Sequence, residues 1–268
     1  MGEKITAAKA YLHLFEEPPI SGKNGSGTVF FSGCNLACVF CQNDKISHNG
    51  FGREITPQRL ADIFFVLQEK GAHNINLVTP THFSPNIIKA LDIAKPRLKI
   101  PVILNSSGYE KIAALKMWEG YIDIYLPDLK YFSSNLSEKY SKAPDYFKYA
   151  SAAVSEMKRQ VGDIQLDTDG ILQKGLIIRH LVLPGCYKDS LAIIEWIAKN
   201  IKGKFLVSIM NQYTPNERVK GTELDRTVST FEYKKVLNLS VKLNLNGFSQ
   251  MHDSAISSYT PIFDLEGI

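Results

Sequence analysis

The sequence predicts an α/β fold: a parallel sheet covered by helices. Three observations carry this reading. After residue 27, strand-like and helix-like segments alternate through about six βα units. The strand-like runs are apolar along their length, as strands buried on both faces are. Polar residues collect just past the strand ends, where α/β folds place their ligands.

Residues 28–31 (TVFF) form the first expected strand, which runs directly into a cysteine-bearing loop. Thr56 then offers an N-cap and Pro57 a good first helical position. Leu60, Phe64 and Leu67 recur at helical spacing, and Gly71 closes that helix. Residues 74–78 are the second strand, and a helix follows over 85–95 with Ser84 as its cap. The third strand is 101–104 and the third helix 109–119. Residues 121–126 make the fourth strand. The connection 131–145, rich in Ser and Tyr, reads as a solvated loop, with a lid or partner-docking role as the alternative. A longer helix covers 145–161, and 176–183 is the fifth strand. A helix over 190–201 buries Ile193, Ile194, Ile197 and Ile201. Residues 205–210 are the sixth strand and 231–243 the last helix. Segments 34–41, 79–82, 105–108, 128–130, 184–185 and 211–213 should therefore converge on one site. The expected organisation is an N-terminal extension, 1–27, before a core, 28–268, that ends in a helical and irregular extension.

Bulk properties narrow the function. The chain of 268 residues is 44% apolar and 22% charged, ordinary for a globular protein. A net charge of +4 permits anionic ligands, and no dense Lys/Arg run with interleaved aromatics is present, so nucleic-acid binding is not expected. No apolar run approaches the ~20 residues that span a bilayer. Four cysteines in a chain this long do not resemble a disulfide framework, and a reducing cytoplasm suits thiolate metal ligands.

Three of those cysteines, Cys34, Cys38 and Cys41, fall in one loop with the spacing C-x3-C-x2-C. Thiolates are soft ligands for zinc or iron–sulfur clusters. A structural zinc site closes with four protein ligands, and His48 is the available fourth here, which would make a zinc-stapled binding protein. Three cysteines alone instead suit a cubane with one iron left open. Cys186 in a turn reads as incidental, with a fourth-ligand or radical-relay role as the alternative.

The loop 33–43 (GCNLACVFCQN), with Phe40 just before the last cysteine, resembles the radical S-adenosylmethionine (SAM) superfamily. Together with 71–82 (GAHNINLVTPTH), 105–110 (NSSGYE), 123–131 (DIYLPDLKY) and 179–185 (RHLVLPG), it is similar to the PflX-like homologues of pyruvate formate-lyase activating enzyme. The resemblance implies a partial (β/α)6 TIM-like barrel. It implies that Cys34, Cys38 and Cys41 hold three irons of a [4Fe–4S] cluster. The fourth iron would chelate SAM, and an electron from a donor such as flavodoxin or ferredoxin would cleave it to a hydrogen-abstracting 5′-deoxyadenosyl radical. The substrate would be a glycyl-radical enzyme partner, or alternatively a small molecule, peptide or RNA base.

The same resemblance implies roles for other residues. Phe40 would pack near the adenine. Thr79, Thr81 and His82 stand where the family has a GGE-type motif for the SAM amino group, and lack its acid. Asn105 and Ser107 stand in the family's Asp-Thr-Asn-Gly segment, where an aspartate like Asp128 helps to hold a monovalent cation. With Asn105 in place of the acid, Lys130 is the simpler partner for the SAM carboxylate. Arg179, Leu181 and Asn211 are candidates for ribose and adenine contacts. Arg179 is expected inside the barrel, with His180 outside. Gln212, Tyr213 and the stretch 250–253 are candidates for the substrate pocket.

Overall fold

A computed structural model describes residues 4–249 and 261–268. The strands are β1 Ile5–His13, β2 Ser26–Phe31, β3 Arg53–Ile55, β4 Ile75–Val78, β5 Val102–Ser106, β6 Ile124–Pro127, β7 Gln165–Leu166, β8 Leu172–Leu181, β9 Leu206–Met210 and β10 Gly247–Ser249. The helices are α1 Pro18–Ser21, α2 Asp44–Ser47, α3 Pro57–Glu69, α4 Ser84–Ala94, α5 Ile112–Lys116, α6 Ser134–Ser141, α7 Tyr146–Val161, α8 Tyr187–Asn200 and α9 Thr230–Lys242. Among the described residues no helix is long and apolar enough to cross a membrane.

The sheet order is β10-β9-β8-β6-β5-β4-β2-β1-β3, with β7 paired to β8. From β2 to β9 the neighbours are parallel, whereas β1 is antiparallel to both β2 and β3. Among the described residues the sheet does not close on itself, so the architecture is an open, partial TIM-like barrel. Register sorts the side chains into two faces. Val29, Leu77, Leu104, Tyr125 and Leu176 lie in one row across five strands and join the large core under the helices. The alternate positions Ile103, Ile124, Leu126 and Ile177 form a second core on the concave face, closed from below by Ile20 of α1.

Four details differ from the sequence reading. Residues 1–27 contain β1, whose segment 10–13 continues the sheet beside β2. The connection 131–145 carries α6, so it is not an irregular loop; Ser137 and Ser141 are buried there by their packing. The helix expected over 109–119 shrinks to α5, because Tyr109 and Glu110 bond to Asp145 and Thr81 instead of continuing a helix. Strand β8 starts at Leu172 rather than 176, since β7 pairs with its early residues. The chain's last residues also reach the sheet: Ala10 N–H donates to the Glu266 carbonyl (2.8 Å) and Leu265 N–H to the Ala8 carbonyl (3.1 Å).

Candidate functional site

The cysteine loop leaves the end of β2 and is held by its neighbours' backbones. Ala37 and Val39 N–H donate to the carbonyls of Ser141 and Tyr140 at the end of α6 (3.2 and 2.9 Å). Asn35 Nδ2 donates to the Tyr109 carbonyl (2.5 Å), and Asn216 Nδ2 to that of Val39 (3.2 Å). The segment read as a solvated loop, with a lid as the alternative, is thus the buttress of the cysteine loop. Each thiol has a polar neighbour: Leu36 N–H lies 3.5 Å from Cys34 Sγ, Ser141 Oγ 2.9 Å from Cys38 Sγ, and Ser47 Oγ 3.5 Å from Cys41 Sγ.

All four cysteines are free thiols. Burial pushes the Cys34 thiol up to about 12, with the nearby Cys38 and Cys41 adding to the shift. Burial also pushes Cys38 up, against the opposing pull of Lys130. Without a cation these groups are neutral; a bound iron would reverse that by stabilising the thiolates. The donor set therefore fits an iron–sulfur cluster. Among the described residues no three His, Cys, Asp or Glu side chains are drawn together as ligands of one metal ion. A cubane takes one thiolate per iron, so its thiols need not meet at a point. The zinc alternative required His48, whose ring is instead engaged by Asp44 Oδ1 (2.5 Å) and the Leu36 carbonyl (3.3 Å).

Below the loop lies a cavity of about 210 Å³, and much of its lining comes from residues singled out in the sequence: Phe40, Cys38, Cys41, Asp128, Lys130, Arg179 and Leu181. Met210, Gln212 and Tyr213 complete one wall, and the Tyr213 ring sits 5.9 Å from that of Phe40. Asp128 joins two cations: Oδ1 accepts from Arg179 Nε (2.9 Å) and Oδ2 from Lys130 Nζ (2.5 Å). Burial alone would raise the Asp128 pKa, but Arg179 and Lys130 outweigh it and hold the carboxyl below its ordinary value. Burial opposes the Lys130 charge, yet Asp128 and Cys38 leave its pKa raised. Arg179 also donates to Asn105 Oδ1 (2.6 Å). Its neighbour His180 points away, with Nδ1 on the Leu129 carbonyl (2.7 Å).

Other sequence candidates lie elsewhere. Thr81 and His82 line a separate cavity of about 470 Å³ with Asn35, Tyr109 and Glu110. His82 Nε2 is held by the Ser32 carbonyl (2.6 Å), a packing role. Thr79 has a left-handed backbone (φ 56°), rare for a β-branched residue, and donates its N–H to the Asn105 carbonyl (2.8 Å). Ser107 Oγ bonds to Asn35 Oδ1 (3.2 Å), bracing the cysteine loop. Asn211 is buried between the lining residues Met210 and Gln212. Cys186 sits in the turn after β8 beside Tyr140, and the cavity lining does not include it. The stretch 250–253 lies outside the described residues.

Sequence reasoning gave no individual role to five residues that shape the site. Tyr146 OH accepts from the Lys130 N–H (2.9 Å) and faces the carbonyls of Ser107 (2.8 Å) and Asp128 (3.0 Å), stapling the ends of β5 and β6. Gly108 makes this possible: at φ 76° its bare Cα lies against the Asp128 carbonyl, where a Cβ would collide. Glu110 is buried with its pKa pushed up to about 7, and Thr81 Oγ1 donates to it (3.0 Å). Glu16 and Glu17 enter the barrel from the segment after β1. Glu16 accepts from Asn76 (3.1 Å), Asn105 (3.4 Å) and Arg179 (3.4 Å). An acid pair ahead of two prolines carries no sequence signal of burial.

Residues 28–220 match the family model of the radical SAM superfamily. The chain is 31% identical over 248 residues to the uncharacterized protein MJ0674 of Methanocaldococcus jannaschii, covering 88% of this chain and 67% of that protein. Among solved structures it is similar to SuiB of Streptococcus suis bound to S-adenosylmethionine, with a TM-score of 0.57 and 16% identity over 82% of this chain. A radical SAM methyltransferase from Sphaerobacter thermophilus gives a TM-score of 0.60 at 11% identity, covering 84% of this chain and 66% of that one. The chain spans about half the length of SuiB, 48%. At these identities the solved structures establish the fold alone.

Proposed function

This chain belongs to the radical SAM superfamily, and from that premise we propose that it is an enzyme holding a [4Fe–4S] cluster on Cys34, Cys38 and Cys41. The observation that carries the reading is the single cavity that brings Cys38, Cys41 and Phe40 against Asp128, Lys130, Arg179 and Leu181. When bound, the reduced cluster and SAM together supply a 5′-deoxyadenosyl radical that abstracts a hydrogen atom from the substrate.

The chain's own residues would bind, orient and shield. Lys130 keeps donors beyond the one spent on Asp128 and offers a positive charge to the SAM carboxylate. Phe40 and Leu181 would give apolar surface for the adenine, and Arg179, on the same cavity wall, would be available to the ribose. Asp128 fixes both cations, so it positions rather than reacts. The α6 buttress keeps the loop's amides satisfied and the thiols close to the cavity. Flavodoxin or ferredoxin is the class of electron donor the chemistry requires.

The resemblance to activating enzymes leads to a glycyl-radical enzyme as partner. The lumen favours a smaller substrate. The cavity under the cysteine loop is about 210 Å³, and the adjoining space lined by Glu16 and Glu17 is about 380 Å³. We therefore read the substrate as a small molecule or a single side chain.

Anaerobic reconstitution with iron and sulfide, followed by reduction in the presence of SAM, tests the enzymatic reading. It expects cluster absorbance and release of methionine and 5′-deoxyadenosine. A preparation that takes up zinc alone and leaves SAM intact would overturn it. Co-incubation with the host's glycyl-radical enzymes separates the substrate readings, since a glycyl doublet in electron paramagnetic resonance would establish the protein partner.

A further inference from the structure

We propose that the barrel lumen beneath the cysteine loop is a subsite for a cationic substrate group, an alkylammonium or guanidinium, received by Glu17 and Glu16. This rests on the enzymatic reading above and specifies its substrate class.

The subsite is a cavity of about 380 Å³ lined by Glu16, Glu17 and Ser208 together with Arg179, Met210 and Gln212. The last three also line the cavity that holds Cys38 and Cys41, so the two spaces share a wall. It opens where the sheet stays unclosed, with Gly247, Phe248 and Ser249 of β10 on one side and Phe15 on the other. A group seated there would lie next to the cavity that Cys38 and Cys41 line.

Charge gives the first argument. Three carboxyl groups, Glu16, Glu17 and Asp128, face two cations, Arg179 and Lys130. Both cations are engaged by Asp128, and only the longer 3.4 Å contact from Arg179 reaches Glu16. Ionised, Glu16 and Glu17 would be surplus negative charge in a buried place; burial pushes both pKa values up, so ionising them is costly unless something neutralises the charge. A proton can do so: burial pushes Glu17 up to about 7 despite the opposing Arg179. A ligand ammonium can do so as well, by displacing that proton.

Hydrogen bonding gives the second, independent argument. Glu17 is 8% exposed, and its Oε2 is buried without a partner; so is Asn76 Oδ1. Glu17 lines the cavity, whereas Asn76 is fully buried and outside its lining. An ionised Glu17 leaves Oε2 a bare acceptor there; a buried acceptor left bare costs free energy, and the group that satisfies it must donate. An ammonium or guanidinium brings only donors, whereas a carboxylate or phosphate brings only acceptors. If the two acids served only to anchor Arg179, Glu17 Oε2 should be spent on it.

The test titrates the reconstituted full chain with pentylammonium, 1-pentanol and hexanoate by calorimetry, in two buffers of different ionisation enthalpy. The expected result is ammonium binding at least about tenfold tighter than the alcohol, with proton release, because a charge-assisted hydrogen bond is lost in the alcohol. Glu17→Gln should weaken the ammonium about tenfold and abolish the proton release. Circular dichroism checks that this variant is folded, and the comparison of probes on the unmutated chain needs no variant. Alcohol or hexanoate binding as tightly as the ammonium, no ammonium binding at all, or full affinity in folded Glu17→Gln would each overturn the inference. SAM cleavage is assayed on the same preparation. Its loss defeats the enzymatic reading, whereas intact cleavage without ammonium selectivity defeats only this one.

Discussion

Arg179 and Asp128 are neighbours twice over: a parallel bridge joins their backbones beyond the paired part of β6, and Arg179 Nε lies 2.9 Å from Asp128 Oδ1. The guanidinium also meets Glu16 and Asn105, so one side chain ties β5, β6, β8 and the segment after β1 together. Replacing it leaves two buried carboxyl groups short of their cation. Arg179→Met should cost about 3–5 kcal/mol in urea unfolding, the range for breaking a buried ion pair by removing one member. Arg179→Lys should recover only part of this, because an ammonium cannot reproduce the planar fork.

The three loop cysteines and the fourth should behave differently. Cys34→Ala, Cys38→Ala or Cys41→Ala should lose the visible absorbance of the reconstituted protein and its SAM cleavage. Cys186→Ala should keep both, since it stands by Tyr140 in the turn after β8 and outside the C-x3-C-x2-C loop. Loss of the cluster in Cys186→Ala would make it a ligand.

Glu110 gives the fold a pH dependence. Burial raises its pKa from 4.5 to about 7, so the folded chain holds this proton more tightly than the unfolded chain. The resulting stability is complete below the unfolded pKa and is lost as pH rises through the folded one. Glu110→Gln, which mimics the protonated acid, should be near neutral at acidic pH and stabilising by up to about 3 kcal/mol above pH 8. Denaturation curves across that pH window check it; an unchanged slope would contradict the burial assignment.

Glu232 ties the start of α9 to the turn after β8. It completes a capping box with Ser229 and also accepts the Gly185 N–H (2.6 Å) and both terminal nitrogens of Arg226 (2.8 Å each). Ser229→Ala should cost about 1 kcal/mol, an ordinary cap loss. Glu232→Ala should cost more, about 2 kcal/mol, because two backbone donors lose their acceptor. Urea midpoints measure both.

Tyr146→Phe should loosen the rim of the cavity. It removes the one hydroxyl that serves the Lys130 N–H and the Ser107 and Asp128 carbonyls, at a cost of about 1–3 kcal/mol. Faster amide hydrogen exchange at Lys130, with the rest of the sheet unchanged, is the signature to seek.

What could be read from the sequence was what has a period or a spacing. The six parallel strands were visible because each is an apolar run before a polar turn, and the cysteine loop because its spacing is chemistry in itself. Asp128 and Lys130 were placed at the site by the family motif they match, and the structure pairs them. The lumen's floor was not visible. Glu16 and Glu17 precede Pro18-Pro19 in the stretch set down as an N-terminal extension, and only the fold brings them against Arg179. The α6 segment failed for a related reason: Ser134 to Ser141 carries few apolar residues, and its burial comes from hydroxyls that meet the cysteine loop and Tyr131. Thr81 and His82 were assigned by motif position, yet the backbone turn at Thr79 carries them into a different cavity.

The bonds from residues 265 and 266 to β1 set an order of events during synthesis. The strand edge at Ala8 and Ala10 emerges from the ribosome long before Leu265 and Glu266 exist to pair with it. For that interval the nascent chain displays unpaired amides and carbonyls, which another chain can join or a chaperone can shield. Synthesis must pass residue 266 before β1 is fully satisfied.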